Sequence, residues 1–269
     1  MGRESTDRER TRPLVSIIMP AWRAVLFIDR AIESVINQNF PYLYELVIVD
    51  DGSDDKDRTW NKIMGWKRME SVKKNIVIQT HKLDCNCGPG FARHLAIAKS
   101  SGKYICYLDA DDELCSSRIL GAVKIFEQNP KADVVLSNYY IIENRQHILY
   151  DPSRIIWKVH EILQKRNVII PLGVMHTREI YDKTTGWPQY LVCGEDGILW
   201  RRMSEVGAVF DVCGFTAGIY RVRKQSQSRT QRKFDSGRSF AYNDEHPDGS
   251  HGQYLDNLSD EELSQYFKK

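Results

Sequence analysis

An α/β fold with a mostly parallel central sheet flanked by helices is predicted by three observations on this 269-residue chain. Short apolar runs alternate with stretches of helical period, the pattern of strands buried on both faces by crossover helices. Two of those runs end in acidic clusters, Asp50-Asp51-Gly52-Ser53-Asp54 and Asp109-Ala110-Asp111-Asp112. In an open sheet of this kind ligands bind beyond the carboxyl ends of the strands, which is where the polar residues concentrate.

Leu14 to Met19 reads as the first strand and is expected to stop at Pro20, which has no N–H to give a ladder. Residues 24 to 38 place Ile28, Ala31, Ile32, Val35 and Ile36 at helical spacing, and Tyr44 to Val49 forms the second strand. A helix over 57 to 69 and a strand over Asn75 to Gln79 follow. The turn Gly88-Pro89-Gly90 then opens a helix to about Lys99, since proline suits a first helical turn. Lys103 to Leu108 is the next strand, then a helix over 116 to 128 and a strand over 133 to 137. Beyond residue 138 the pattern weakens, with helices expected at 159 to 166 and 195 to 206. A capped helix is expected near the end, where Ser259 precedes Glu262 by three positions.

A hydrophobic content of 42% with 28% charged residues, 17 Gly and 9 Pro describes a globular chain of one large domain or two small ones, and excludes disordered and collagen-like classes. Lysine and arginine total 38 against 36 acids, so the net charge of +2 is too small for a nucleic-acid field. Nucleic acid is not an expected partner. The six cysteines are scattered, with Cys106 inside an apolar run, which suits a reducing compartment. Cys85 and Cys87 form a C-x-C pair, but a zinc site needs four ligands and no second Cys/His pair follows at a suitable spacing. The N-terminal residues are polar where a signal peptide would be apolar, and no run approaches the roughly 20 apolar residues of a membrane span. A cytoplasmic protein, at most peripheral to a membrane, is expected.

Asp109 and Asp111 leave a strand end on the same side of the chain, because alternate residues face one way. Mg2+ or Mn2+ takes one or two such carboxylates and completes its shell with water and substrate phosphate, so the pair suits a nucleoside diphosphate. A bare D-x-D is also a common acidic helix start. At the other cluster a carboxylate can accept a ring N–H from a base, while Gly52 allows a tight turn. Trp22, just past the first strand, offers either an aromatic face to that base or core packing.

The segments LVSIIMPAW, ELVIVDDGSDD, GPGFARHLAIAKSSGKYICYLDADD and GEDGILWRR, in this order and spacing, resemble the inverting glycosyltransferases of family 2, which have a GT-A fold. The resemblance covers residues 14 to about 128 well and 171 to 223 loosely. It implies a nucleotide-sugar donor, usually UDP-linked, a divalent ion, and a glycan, lipid-linked or protein acceptor. By position it implies Trp22 stacked on the base with Pro20 beside it, Asp51 on the base N–H with Asp50 adjacent, Asp109 and Ala110 near the ribose, and Asp111 on the metal. Arg93 matches a basic position that approaches the donor. Asp196 corresponds to the family's general base, with Glu195 an acceptor or positioning group. Trp187 and Trp200 flank this pair and would stack on a sugar or pack. Where similar enzymes carry Y-R-x-H-x-x-S, with a histidine able to bind metal, this chain has Arg223, which cannot ligate a cation but can contact the diphosphate. His94 stands where the family often has Asn, and His176 reads equally as a core histidine or an acceptor contact.

The expected organisation is a short N-terminus over 1–12, a donor-binding half over 13–136, an acceptor-binding half over 137–220, and a basic lid and tail over 221–269. From Arg221 to Arg238 the chain has seven basic residues and one acid, the composition of a lid over phosphates or of a patch for a phospholipid-linked acceptor. A dehydrogenase would need G-x-G-x-x-G after the first strand and a P-loop enzyme G-x-x-x-x-G-K-[ST], and neither occurs. The competing class is a non-catalytic domain of the same fold that holds a nucleotide or a partner without turnover.

Overall fold

The structure, a computed structural model, describes residues 12–69, 75–143, 146–165, 167–189, 191 and 194–222. In chain order the strands and α-helices begin with β1 (Val15–Ala21), α1 (Ile28–Ile36), β2 (Tyr44–Asp50), α2 (Arg58–Arg68), β3 (Ile76–Lys82) and α3 (Pro89–Lys99). They continue with β4 (Tyr104–Tyr107), β5 (Glu113–Leu114), α4 (Arg118–Gln128), β6 (Val134–Glu143), β7 (Gln146–Tyr150) and α5 (Val159–Lys165). The last are β8 (Val174–Thr177), α6 (Arg178–Asp182), α7 (Glu195–Glu205) and β9 (Phe210–Arg221). The strands form one sheet in the order β3-β2-β1-β4-β8-β6-β9-β5, with β7 on β6.

The first half of the sheet is parallel throughout: β2 pairs with β1 and β3, and β1 with β4. The strands β1, β2 and β4 are largely apolar with both faces covered, while the edge strand β3 is half-exposed; Ile17, Ile18, Leu46, Val47, Ile48 and Ile105 are fully buried. The helix α1 buries Ile28, Ala31, Ile32 and Val35 on one stripe, as its spacing predicts. The second half is mixed. The strand β8 runs antiparallel to both β4 and β6, while β6 is parallel to β9 and β9 antiparallel to β5.

Pro20 does not stop the first strand, which continues to Ala21 in register with Asp50. Ala21 accepts the Asp51 N–H, so its polar atoms face β2 and those of Pro20 face the other way, toward β4. The paired region of β4 ends at Tyr107 opposite Ile18, so the missing proline N–H costs no ladder bond.

Candidate active site

The sheet order makes β2, β1 and β4 neighbours, so the segments that follow them leave from the same edge. Beyond β1, Trp22 is 38% exposed, so it is not a core residue. The Arg23 guanidinium lies 4.6 Å from its ring and pairs with Asp54. The Arg23 N–H donates to Ser53 Oγ at 2.9 Å, which ties the first strand end to the second.

Beyond β2, both acids are buried. Asp51 accepts the Cys87 N–H on Oδ1 at 2.7 Å and the Gly88 N–H on Oδ2 at 2.9 Å. A base N–H would therefore be an additional donor to an oxygen that already holds one. Burial pushes the Asp51 carboxyl up, and the two amides pull the other way. Asp50 accepts the Ser53 N–H on Oδ1 at 3.2 Å, and its buried Oδ2 has no hydrogen-bond partner among the described residues. Burial raises the Asp50 carboxyl as well. Gly52 has φ +61, and a Cβ there would lie 2.3 Å from the carbonyl carbon of Cys85, so only glycine fits the turn.

Beyond β4 the acids separate into different environments. Asp112 is buried, accepts the Arg221 N–H at 3.0 Å, and is held well above the carboxylate range by burial and then by Asp109. Asp109 and Asp111 are half-buried at the mouth. Among the described residues no group of three or more His, Cys, Asp or Glu is placed to hold a metal ion. A half-buried carboxylate is nonetheless the hard oxygen donor a divalent ion uses when diphosphate and water supply the rest of its shell.

Arg93 joins the two halves of the site. It is 4% exposed; its Nη2 donates to Asp109 Oδ1 and its Nη1 to Glu195 Oε1, both at 2.7 Å. Burial disfavours the charged guanidinium, but Asp109 and Glu195 outweigh it and hold Arg93 above its ordinary value. Its flat face lies 4.8 Å from the centre of the Trp187 ring. Trp187 is only 1% exposed, so of the two readings, stacking on an acceptor sugar or packing, it is the packed position that the structure shows. Its place is beneath Arg93. Trp200 is also core, its Nε1–H donating to the Ile169 carbonyl at 3.0 Å.

That support is fixed by a buried relay. Trp187 Nε1–H donates to the Tyr107 oxygen at 3.3 Å, and Tyr107 O–H to His176 Nε2 at 2.6 Å. The Nδ1–H of His176 donates to the Thr177 carbonyl at 2.8 Å, which sets the neutral tautomer. Burial lowers the His176 pKa to about 4, so this histidine is an uncharged core residue. His94 Nδ1 meets the Tyr181 hydroxyl at 3.2 Å.

Glu195 and Asp196 open α7, with Gly194 before them at φ +80. Glu195 is buried against Arg93, the geometry of a positioning group. Burial, and then the Glu195 charge, push the Asp196 carboxyl up to about 7, while Arg93, the Gly197 N–H and the Asn167 side chain oppose the rise. No motif marks Asn167, which lies just past α5. Its Cβ would be 2.6 Å from a Cβ at position 197, so Gly197 admits it to the start of α7. Arg223 and the rest of the basic stretch, together with the helix expected after Ser259, lie outside the described residues; Arg221 is described and pairs with Glu113 at 2.7 Å.

Residues 16–180 match the sequence profile described as Glycosyl transferase family 2. The chain belongs to this family. A family relative in Haemophilus influenzae, an uncharacterised glycosyltransferase, is 32% identical over 118 residues, covering 44% of each chain. A Rickettsia conorii relative is 29% identical over 195 residues, which span 69% of this chain and 29% of that one. The chain therefore matches less than half the length of these relatives. The Escherichia coli UDP-Glc:alpha-D-GlcNAc-diphosphoundecaprenol beta-1,3-glucosyltransferase WfgD is 27% identical over 225 residues, covering 82% of this chain and 81% of the relative. The S. aureus TarS 1-349 complex with UDP-GlcNAc superposes with a TM-score of 0.64 at 19% identity, over 79% of this chain and 60% of that one. The Pyrobaculum calidifontis mannosyltransferase PcManGT, in complex with GDP-Man and Mn2+, gives a TM-score of 0.62 at 17% identity, over 80% and 59%. These likenesses carry the fold, and it is the GT-A fold expected of the family.

Proposed function

We propose that this chain is an inverting glycosyltransferase that moves a sugar from a nucleoside diphosphate, with UDP the expected nucleotide, to an acceptor hydroxyl. The observation that supports this best is the Arg93 bridge. One buried guanidinium holds Asp109, at the strand end assigned to the donor, against Glu195, whose neighbour Asp196 has a carboxyl at about 7. A general base works best with a pKa near the working pH, and this one stands within one residue of a group tied to the donor side.

In this reading Trp22 stacks on the base, and Asp50 and Asp51 line its polar edge. Asp111 would hold a divalent cation, Mn2+ or Mg2+, which would supply charge neutralisation for the departing diphosphate. Asp196 takes the proton from the acceptor oxygen as it attacks the anomeric carbon from the side opposite the leaving group, which inverts the linkage. Glu195 keeps Asp196 in place through Arg93, and Arg223 approaches the diphosphate. Pro20 and Ala110 lie in the segments that line the donor. The WfgD name includes a diphosphoundecaprenol acceptor, which favours a lipid-linked acceptor here, met at a membrane surface. No helix among the described residues is long and apolar enough to cross a membrane.

The first test is calorimetry with UDP, GDP, CDP and dTDP, each with Mn2+ and with chelator. Metal-dependent binding of one nucleotide, UDP above the others, is expected. No binding to any of them by folded protein overturns the proposal and leaves the non-catalytic class.

A further inference from the structure

We propose that Cys85 and Cys87 form a hydroperoxide-sensitive dithiol whose closure to a disulfide weakens nucleotide binding at the adjoining Asp51-Gly52 turn. The second clause rests on the donor-site reading above; the first does not. Both thiols are exposed, and their sulfurs are 3.8 Å apart, in van der Waals contact. Among the described residues Cys106 and Cys213 are buried and Cys115 is half-buried, so this pair is the accessible one.

The chemistry balances with a hydroperoxide as oxidant. The Cys85 sulfur attacks the peroxide, the O–O bond breaks, and a sulfenic acid and an alcohol (water, from hydrogen peroxide) result. The Cys87 sulfur then attacks the Cys85 sulfur. The S–S bond forms, the S–O bond breaks, and the hydroxyl leaves as water with the Cys87 proton. Two thiols lose two electrons and the peroxide gains them. Cys87 is assigned as the resolving partner because its backbone N–H is held on the Asp51 carboxylate, and slight desolvation, the neighbouring thiol and that carboxylate's charge favour the protonated sulfur.

The same loop holds the turn. The Cys87 N–H donates to Asp51 Oδ1 at 2.7 Å, and the Cys85 backbone occupies the space that a Gly52 side chain would need. Closing a small ring over Asn86 changes the torsions from 85 to 87, which re-aims that N–H and presses on Gly52 where there is no slack. A displaced Asp51 carboxylate forfeits its hydrogen bond to the base, which corresponds to about tenfold in affinity.

The test uses the whole chain with UDP and Mn2+, before and after hydrogen peroxide. The tryptic peptide Leu83–Arg93 is expected to lose two hydrogens and regain them with dithiothreitol, while UDP affinity falls about tenfold and recovers. Cys85→Ser is expected to bind UDP as the reduced wild type does and not to respond to peroxide. A peptide that keeps both hydrogens overturns the proposal, and so does a disulfide that forms with UDP affinity unchanged. If reduced wild type binds no nucleoside diphosphate, the donor reading and the coupling fail together, while the peptide mass still decides whether the dithiol closes.

Discussion

The two ends of strand β2 each carry a buried carboxylate, and they are treated oppositely. At the start, Glu45 is saturated: Oε1 accepts the Ser16 hydroxyl at 2.7 Å and the N–H groups of Ser101 and Gly102 at 2.6 and 3.0 Å, and Oε2 accepts from Gln79 at 2.6 Å. At the finish, Asp50 Oδ1 takes a long bond from the Ser53 N–H, and its Oδ2 has no hydrogen-bond partner among the described residues. A buried acceptor left short costs stability, on the order of 1–3 kcal/mol. The same strand thus spends one carboxylate on the fold and holds another in reserve at the edge where the donor is expected. The acids that follow β2 and β4 share this treatment, with Asp50, Asp51 and Asp112 all raised by burial.

The largest effect that tests this division is on the reaction. Asp196→Asn is expected to lower kcat by about 10²–10⁴, the usual worth of a general base, with donor affinity unchanged in calorimetry. Full transfer by this variant would remove Asp196 from the mechanism. Next is Arg93→Met, which leaves Asp109 and Glu195 without the charge between them. Breaking a buried pair costs about 3 kcal/mol or more, read as a fall in Tm of roughly 6–12 °C, and donor binding should weaken with it. An unchanged Tm would show that the bridge is not what joins the two halves.

The pair of β2 variants meets the comparison directly. Glu45→Gln exchanges one acceptor oxygen for a donor amide amid N–H donors and is expected to cost about 2 kcal/mol of stability with little change in nucleotide affinity. Asp50→Asn should do the reverse, leaving Tm equal or higher and weakening binding. If Asp50→Asn destabilises as much as Glu45→Gln, the two ends are alike and the division is wrong.

How much of this was legible beforehand follows the same line. The parallel half was, because strands buried on both faces read as apolar runs such as Tyr44–Val49, and its acidic ends stand out against them. In the second half the helices at 159–165 and 195–205 and the start of β6 were legible too, but the other strands were not. The strands β7 and β9 carry half-exposed and exposed positions and no clean alternation, β8 has four residues and β5 two, and β5, β8 and β9 are held by partners distant in the chain. At the site, the acids were visible as types but their partners were not. Arg93 and Glu195 are 102 positions apart, and only the fold brings them together. Trp187 was left open between stacking and packing because burial of a tryptophan under a guanidinium leaves no mark in sequence. Asn167 sits in no motif; its signal was only the Gly at 197 that makes room for it.

The smallest expected effect is the most diagnostic, because it separates a base from a merely structural acid. A general base works deprotonated, so with Asp196 at about 7 the rate should climb with pH and level off above that value. Asn167 bonds the charged form and opposes the rise, so Asn167→Ala should move the climb to higher pH while the plateau rate changes little. Stability runs the other way. The folded pKa is raised above the ordinary aspartate value of 3.8, so the folded chain holds a proton that the unfolded chain releases. That contribution is complete below about 4 and is lost as pH rises to about 7. Asp196→Asn removes the loss, so its Tm relative to wild type should improve across that window, by roughly 2–4 °C for about 1 kcal/mol after allowing for solvent screening and coupling to Glu195. A rate limb near 7 together with an opposite stability trend would identify one carboxyl as the source of both. A rate limb near 4 would mean that Asp196 is solvated like an ordinary surface acid and that its burial beside Glu195 does not tune it.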